Sequence, residues 1–250
     1  MKNNTYIKKI ELIDGILDFN SGIEVYKQYL LTPSLNWKNE LRRPIKSNIL
    51  TEMGVTHSKI GSDPQPLINS VLKNGGNLYF WSDLHLYHHN IIRYAERPFE
   101  TVEHMNETMI NNYWSKVTDS DVVVFGGDVG FGDINDVQNL ISQLPGKKIL
   151  VLGNHDFDKN KGFFRNYNTF DITTMAFTFQ KELNGVIYNI LVTHYPINKN
   201  QLPKNTINIH GHIHQHLPGD KNINMCVEHT GFSPISMTEK IEELILKEYQ

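Results

Sequence analysis

Five short apolar runs in this 250-residue chain are each followed at once by side chains of one chemical kind. Residues 78–81 precede Asp83 and His85, and residues 122–125 precede Asp128. Residues 149–152 precede Asn154 and His155, residues 186–193 precede His194, and residues 207–209 lead to His212 and His214. Apolar runs of three to five residues closed by Gly, Asn or Asp read as buried strands. Between them, Val102, Met105, Met109, Tyr113 and Val117 recur at helical spacing, as do Val137, Leu140, Ile141 and Leu144. Asn184-Gly185 separates residues 175–182 from 186–193 and predicts a two-residue hairpin. Strands alternating with helices, plus one hairpin, give a layered α/β domain. In such folds polar sites gather at the carboxyl ends of the strands. Five runs ending in Asp, Asn or His therefore predict one convergent site.

Composition narrows the function classes. The net charge is −3 and the pI about 6.4, so there is no overall pull toward nucleic acid or an anionic membrane. Residues 1–76 hold 10 Lys+Arg against 7 Asp+Glu, whereas residues 77–250 hold 14 against 20. An acidic main domain disfavours a nonspecific nuclease. One cysteine, Cys226, rules out an intrachain disulfide and suits a reducing compartment; its apolar surroundings read as core. No apolar h-region follows the charged start and no run reaches membrane-spanning length, so the expected location is cytoplasmic, with no membrane partner.

Residues 1–76 read as a mostly helical extension of unassigned role, and residues 77–250 as the main domain. Within the extension, residues 21–32, 35–43, 47–53 and 66–74 are expected helices, the last with Pro66 at its start and Gly75-Gly76 at its end. No catalytic constellation is visible there.

The donor set Asp83, His85, Asp128, Asn154, His194, His212 and His214 suits a borderline divalent metal: Mn, Fe, Ni, Zn or Co. Seven donors exceed what one catalytic ion with an open position takes. Two ions sharing a carboxylate fit better, with Asp128 the natural bridge, and the reaction this suits is hydrolysis of a phosphate ester.

The blocks Asp83-Leu84-His85, Gly126-Gly127-Asp128, Gly153-Asn154-His155-Asp156, Thr193-His194-Tyr195-Pro196 and Gly211-His212-Ile213-His214 resemble, in this order, those of the calcineurin-like metallophosphoesterase superfamily. The likeness covers residues 77–250, and the segments 83–92 and 97–99, with a strand expected over 222–227, are similar to its compact bacterial and phage-type branch. The resemblance implies a layered α/β/β/α sandwich. It implies one ion on Asp83, His85, Asp128 and His214 and a second on Asp128, Asn154, His194 and His212. It implies that His155 contacts the phosphate and assists the leaving oxygen, that Asp156 orients His155, and that a metal-bridging hydroxide attacks phosphorus. The substrate expected is a small phosphoester or a nucleotide. Tyr87, where that branch tends to have glycine, is expected to narrow the site mouth.

Other residues have two readings each. His88 and Asn90 are candidate phosphate contacts or helix caps, and Arg97 is a candidate anion clamp or a solvated charge. His210 alternates with His212 along a strand and is expected inside the sheet. Residues 127–132 lack the spacing of a dinucleotide loop. A metal-dependent nuclease and a catalytically silent scaffold of the same fold are the competing functions. Oligomeric state is not legible from the sequence.

Overall fold

The computed structural model describes residues 63–158, 163–164 and 169–248. The helices expected over 21–32, 35–43 and 47–53 lie outside these. Two sheets form the centre. The first has the strand order β11-β1-β2-β3-β6, from β1 (Leu78–Trp81), β2 (Val122–Phe125), β3 (Lys147–Val151), β6 (Ile172–Thr174) and β11 (Ile235–Ser236). Its pairings are parallel except that of β11 with β1. The second has the order β10-β9-β8-β7, from β7 (Ala176–Leu183), β8 (Val186–Thr193), β9 (Thr206–His210) and β10 (Asn222–Asn224). Strands β4 (Phe157–Asp158) and β5 (Phe163–Phe164) make a separate two-stranded ribbon.

The apolar runs have no alternation because both faces of the first sheet are covered. Leu78, Phe80, Val122, Val124, Ile149 and Val151 point toward Phe177, Ile190, Val192, Ile207 and Ile209 of the second sheet. Tyr79, Trp81, Val123, Phe125 and Leu150 point the other way. There they meet α3 (Val102–Trp114) and α4 (Ile134–Ser142) through Met105, Met109, Tyr113, Val137 and Ile141. The short α2 (His89–Tyr94) joins this layer through Ile91, and Thr101 caps α3 by accepting the His104 N–H. Helix α1 (Gln65–Lys73), expected over 66–74, packs Ile68 and Val71 into the inter-sheet core beside Ile241 and Ile245 from the π-helical turn Met237–Ile241 and α6 (Glu242–Glu248). The chain is thus the expected layered α/β sandwich. No described helix is long and apolar enough to cross a membrane.

Predicted and observed elements differ at one place that matters for the site. Residues 222–227, expected as one strand, end as a strand at Asn224. Cys226 then bridges to Ser82 and starts the one-turn helix α5 (Val227–Thr230). The chain turns there because Asn224 Oδ1 takes the Cys226 N–H at 2.9 Å, diverting it from the ladder. Strand β6 carries Thr173 and Thr174 in a three-residue run too short to show a pattern.

The amino ends of β1 and β2 are fixed by one buried carboxylate. Asp121 accepts the Asn77 N–H at 2.7 Å on one oxygen, and the Thr118 N–H and hydroxyl at 2.8 Å each on the other. Burial alone would raise its pKa, but the hydrogen bonds from Thr118 and Asn77 outweigh burial and hold it below the usual 3.8. Its stabilisation is therefore complete above pH 3.8 and is lost as pH falls through the lowered folded value. Asp121→Ala should destabilise the domain by about 2–3 kcal/mol at neutral pH, measured by urea unfolding. The deficit relative to the parent should shrink below pH 3.8.

Candidate metal centre

The three parallel strands β1, β2 and β3 run in step, with Trp81 level with Phe125 and Val124 level with Ile149. Their carboxyl ends therefore open into adjacent loops, 82–88, 126–132 and 152–156. The first two pair along their length: Asp83 N donates to Gly127 O, His85 N to Asp128 O, and Leu86 N to Val129 O, at 3.0–3.1 Å. Within the first loop, Leu84 and Leu86 are fully buried on the helix side, so Asp83 and His85 face the opposite way, into the site.

This alternation requires unusual backbone. Asp83 (φ 58°), His85 (φ 51°), Asp128 (φ 54°), His212 (φ 70°) and His214 (φ 48°) are all left-handed. Such a conformation costs an L-residue on the order of 1–3 kcal/mol and persists only where surroundings impose it. Two buried side chains brace the loops that carry Asp83 and Asp128. Arg97, a candidate anion clamp or solvated charge, is buried and braces the backbone. Its guanidinium donates to Asp83 O at 2.7 Å and Leu84 O at 2.8 Å, and pairs with Glu228 at 2.8–2.9 Å, with its side chain shielded from solvent. Asp156, expected to orient His155, accepts three backbone N–H groups: Asp128 at 2.9 Å, Gly153 at 2.8 Å and Val129 at 3.1 Å. It ties the second loop to the third.

The predicted ligands converge into two groups whose donor atoms lie within 4.8 Å of one another, Asp83–His85–His214 and Asp128–His194–His212. Asn154 joins the second, its Oδ1 lying 3.0 Å from His194 Nε2 and 3.1 Å from His212 Nδ1, and accepting the Tyr195 hydroxyl at 3.3 Å. Asp128 connects the groups: its Oδ1 is occupied by the His155 N–H at 2.7 Å, while Oδ2 lies 3.6 Å from His85 Nε2 and 3.5 Å from His194 Nε2.

The donor chemistry fits divalent cations. Asp83 Oδ2 takes the Ser82 hydroxyl at 2.5 Å, the His212 N–H at 2.9 Å and the Cys226 thiol at 3.3 Å, which leaves Oδ1 buried with no hydrogen-bond partner. His85 Nε2 is also buried and unpartnered. Nδ1 of His194 faces Gly126 O at 2.8 Å and Nε2 faces Asn154 Oδ1 and Asp128 Oδ2. Burial opposes its protonation, but the Asp128 and Asp83 charges raise its pKa above the usual value, so this cluster of oxygens favours positive charge at Nε2, which a cation would supply in place of the proton. The close approach of glycines completes the cradle: a Cβ on Gly153 would run into Asp128 Oδ1, and one on Gly211 into Asp83 Oδ2. Burial, then the nearby Asp83 and Asp156 charges, push Asp128 up to about 7 against the opposing pull of His194. Burial, reinforced by neighbouring histidines, holds His212 down at about 3 and His85 well below its usual value, so both present neutral imidazoles.

His214 faces the Glu228 carboxylate through Nδ1 at 3.0 Å, and that contact orients its other nitrogen. Glu228 was not legible in the sequence, since it lies 131 positions from Arg97 and no local pattern marks it. Cys226 is fully buried against Asp83, and burial, then the Asp83 charge, raises its thiol pKa well above the usual value. His210 is buried in the sheet as expected, with Nδ1 2.8 Å from Gly211 O. Tyr87 is half-buried against the helix-side core. His88 is the residue before α2 but its side chain does not cap the helix; its Nδ1 lies 3.5 Å from His85 Nδ1. Asn90 is exposed on the first turn of α2.

Comparison with known proteins agrees with this geometry. The family described as calcineurin-like phosphoesterase matches residues 76–238. An uncharacterized protein of Methanocaldococcus jannaschii is 34% identical over 180 residues, covering 68% of this chain and 92% of that protein. The crystal structure of a protein of unknown function from Aquifex aeolicus superposes with a TM-score of 0.50 at 29% identity, covering 68% of this chain and 99% of that one.

Replacing Glu228 by Gln keeps the side chain's shape but removes the charge that faces both His214 and Arg97. Metal affinity should fall about 10–100-fold. Isothermal titration of metal-stripped protein with Mn²⁺ measures this; an unchanged affinity would show that Glu228 does not act on the ligand set.

Proposed function

The chain belongs to the calcineurin-like phosphoesterase family, and from that premise we propose that it is a dinuclear-metal phosphohydrolase acting on a small phosphoester or nucleotide. The observation that carries the reading is Asp128 Oδ2, placed 3.6 Å from His85 Nε2 and 3.5 Å from His194 Nε2, between two complete donor groups. Asp83, His85 and His214 would hold one ion, Asn154, His194 and His212 the other, with Asp128 shared. Two such ions supply an acidified water and neutralise the phosphate charge. The donor set of carboxylate, carboxamide and imidazole, with Cys226 turned to Asp83 and not among the donors, fits Mn, Fe, Ni, Zn or Co. A cytoplasmic location belongs to the same reading, since a lone buried thiol suits a reducing compartment.

The protein's own groups do the positioning and the proton work. His155 is half-buried at the mouth, with its ring 5.2 Å from that of His85 and its backbone N–H held by Asp128. That anchor places the imidazole beside both groups, where it can donate a proton to the leaving oxygen. Arg97 and Asp156 act through the backbone, keeping Asp83 and Asp128 aimed inward. His88, next to His85, is the second candidate contact for phosphate, and Asn90 a third.

His155→Ala should lower kcat by about 10²–10⁴ with metal content unchanged. A loss of metal in parallel would make His155 structural. Asp128→Asn should reduce bound metal at both positions, read by elemental analysis; unchanged stoichiometry would sink the bridging role. The reading as a whole is tested by hydrolysis of p-nitrophenyl phosphate and bis-p-nitrophenyl phosphate by stripped protein with each metal restored. The ratio of the two rates separates monoester from diester specificity. Silence on both with metal bound would overturn it.

A further inference from the structure

The loop that follows Asp128 carries a large apolar side chain into solvent. Phe131 is 45% exposed, two residues after the fully buried Val129. One exposed phenylalanine needs no explanation, but this one does not stand alone. Its ring stacks on that of His88 at 4.1 Å and 12° and meets the edge of His155 at 5.5 Å. His88 in turn meets Tyr94, itself 59% exposed, edge-on at 6.3 Å. The stack begins at the metal centre, since His88 Nδ1 lies 3.5 Å from His85 Nδ1. The surface beside His155 therefore carries an aromatic cluster, with Phe131 stacked on His88 and Tyr94 edge-on beyond it. A metal pair and His155 recognise only the phosphoryl group. The remainder of the substrate must contact what flanks it, and flat π faces reward another flat ring.

We propose that Phe131, backed by His88 and flanked by Tyr94, is a stacking platform for an aromatic ring carried on the phosphoester, and so selects aryl or nucleoside phosphates over aliphatic ones. This rests on the phosphohydrolase reading for its biological meaning but is tested separately from it. His88 packs one face of the Phe131 ring, and the partial exposure of Phe131 lets an aromatic group attached to a phosphate near His155 reach what remains. The backbone of Phe131 is held independently of its side chain, by N–H donation to Leu86 O at 2.8 Å, so truncation should leave the loop in place.

The experiment is binding of phosphonates, which cannot be hydrolysed, to Mn²⁺-loaded protein by isothermal titration. Phenylphosphonate and an adenosine phosphonate should each bind at least about five-fold tighter than propylphosphonate. In Phe131→Ala that preference should disappear, and in Phe131→Trp, which keeps a π face, it should persist. The stronger of the two aromatic ligands identifies the source of the ring, nucleoside or simple aryl. Equal affinity for phenyl and propyl phosphonates, no binding of any, or a preference intact in Phe131→Ala would overturn the platform. An aromatic preference in a protein that hydrolyses no phosphoester would uphold the platform and defeat the phosphohydrolase reading.

Discussion

Lone pairs and negative charge are packed together at the carboxyl edge of a sheet, and most of the site's architecture is what keeps them there. Asp83, His85, Asp128, His212 and His214 sit in left-handed backbone, which L-residues avoid, because only that conformation lets alternate residues of a tight loop face inward. The cost is met by burial on the other side: Leu84 and Leu86 pack into the helix-side core on the same stretch that directs Asp83 and His85 into the site. Arg97 and Asp156 then hold the peptide groups between them. One is a cation on carbonyls and the other an anion on N–H groups, and each is out of solvent, where a charged hydrogen bond is strongest.

Orientation passes outward through a chain of partners. Arg97 pairs with Glu228, Glu228 with His214, and His214 faces Asp83 across the first group of donors. Ser82, the His212 N–H and the Cys226 thiol occupy one oxygen of Asp83 and leave the other bare. In the second sheet, Asn208 donates to Leu191 O and to the Thr193 hydroxyl and accepts the Ile197 N–H, which steadies the turn that carries His194 and Tyr195. The two sheets thus each contribute candidate ligands held by their own polar brace.

How far the sequence disclosed this depends on range. Residues 78–81 and 122–125 were readable because strands covered on both faces become unbroken apolar runs, and each ends where expected. The seven candidate ligands were readable as a set because each follows its strand within a few positions, and the fold brings them together. The backbone partners of Arg97 and Asp156 were not legible for a common reason: a charged residue beside such motifs invites a role in chemistry, and its contacts with distant peptide groups leave no local pattern. Glu228 gave no signal, since its partners Arg97 and His214 come from other loops. Phe131 was passed over inside a glycine-rich run, where nothing local marks its stacking on His88.

The first donor group joins Asp83 and His85 to His214, and its brace joins Arg97 to Glu228 across 131 positions. Contacts that distant are closed late, after the loop entropy between them has been overcome by the rest of the fold. A chain emerging from a ribosome therefore exposes Asp83, His85 and Asp128 long before His214 and Glu228 exist to complete the cage. During that interval the half-built site is a cluster of carboxylate and imidazole with no fixed geometry. Any choice the site would make among cations belongs to the finished fold, because it waits on His212, made 129 positions after Asp83.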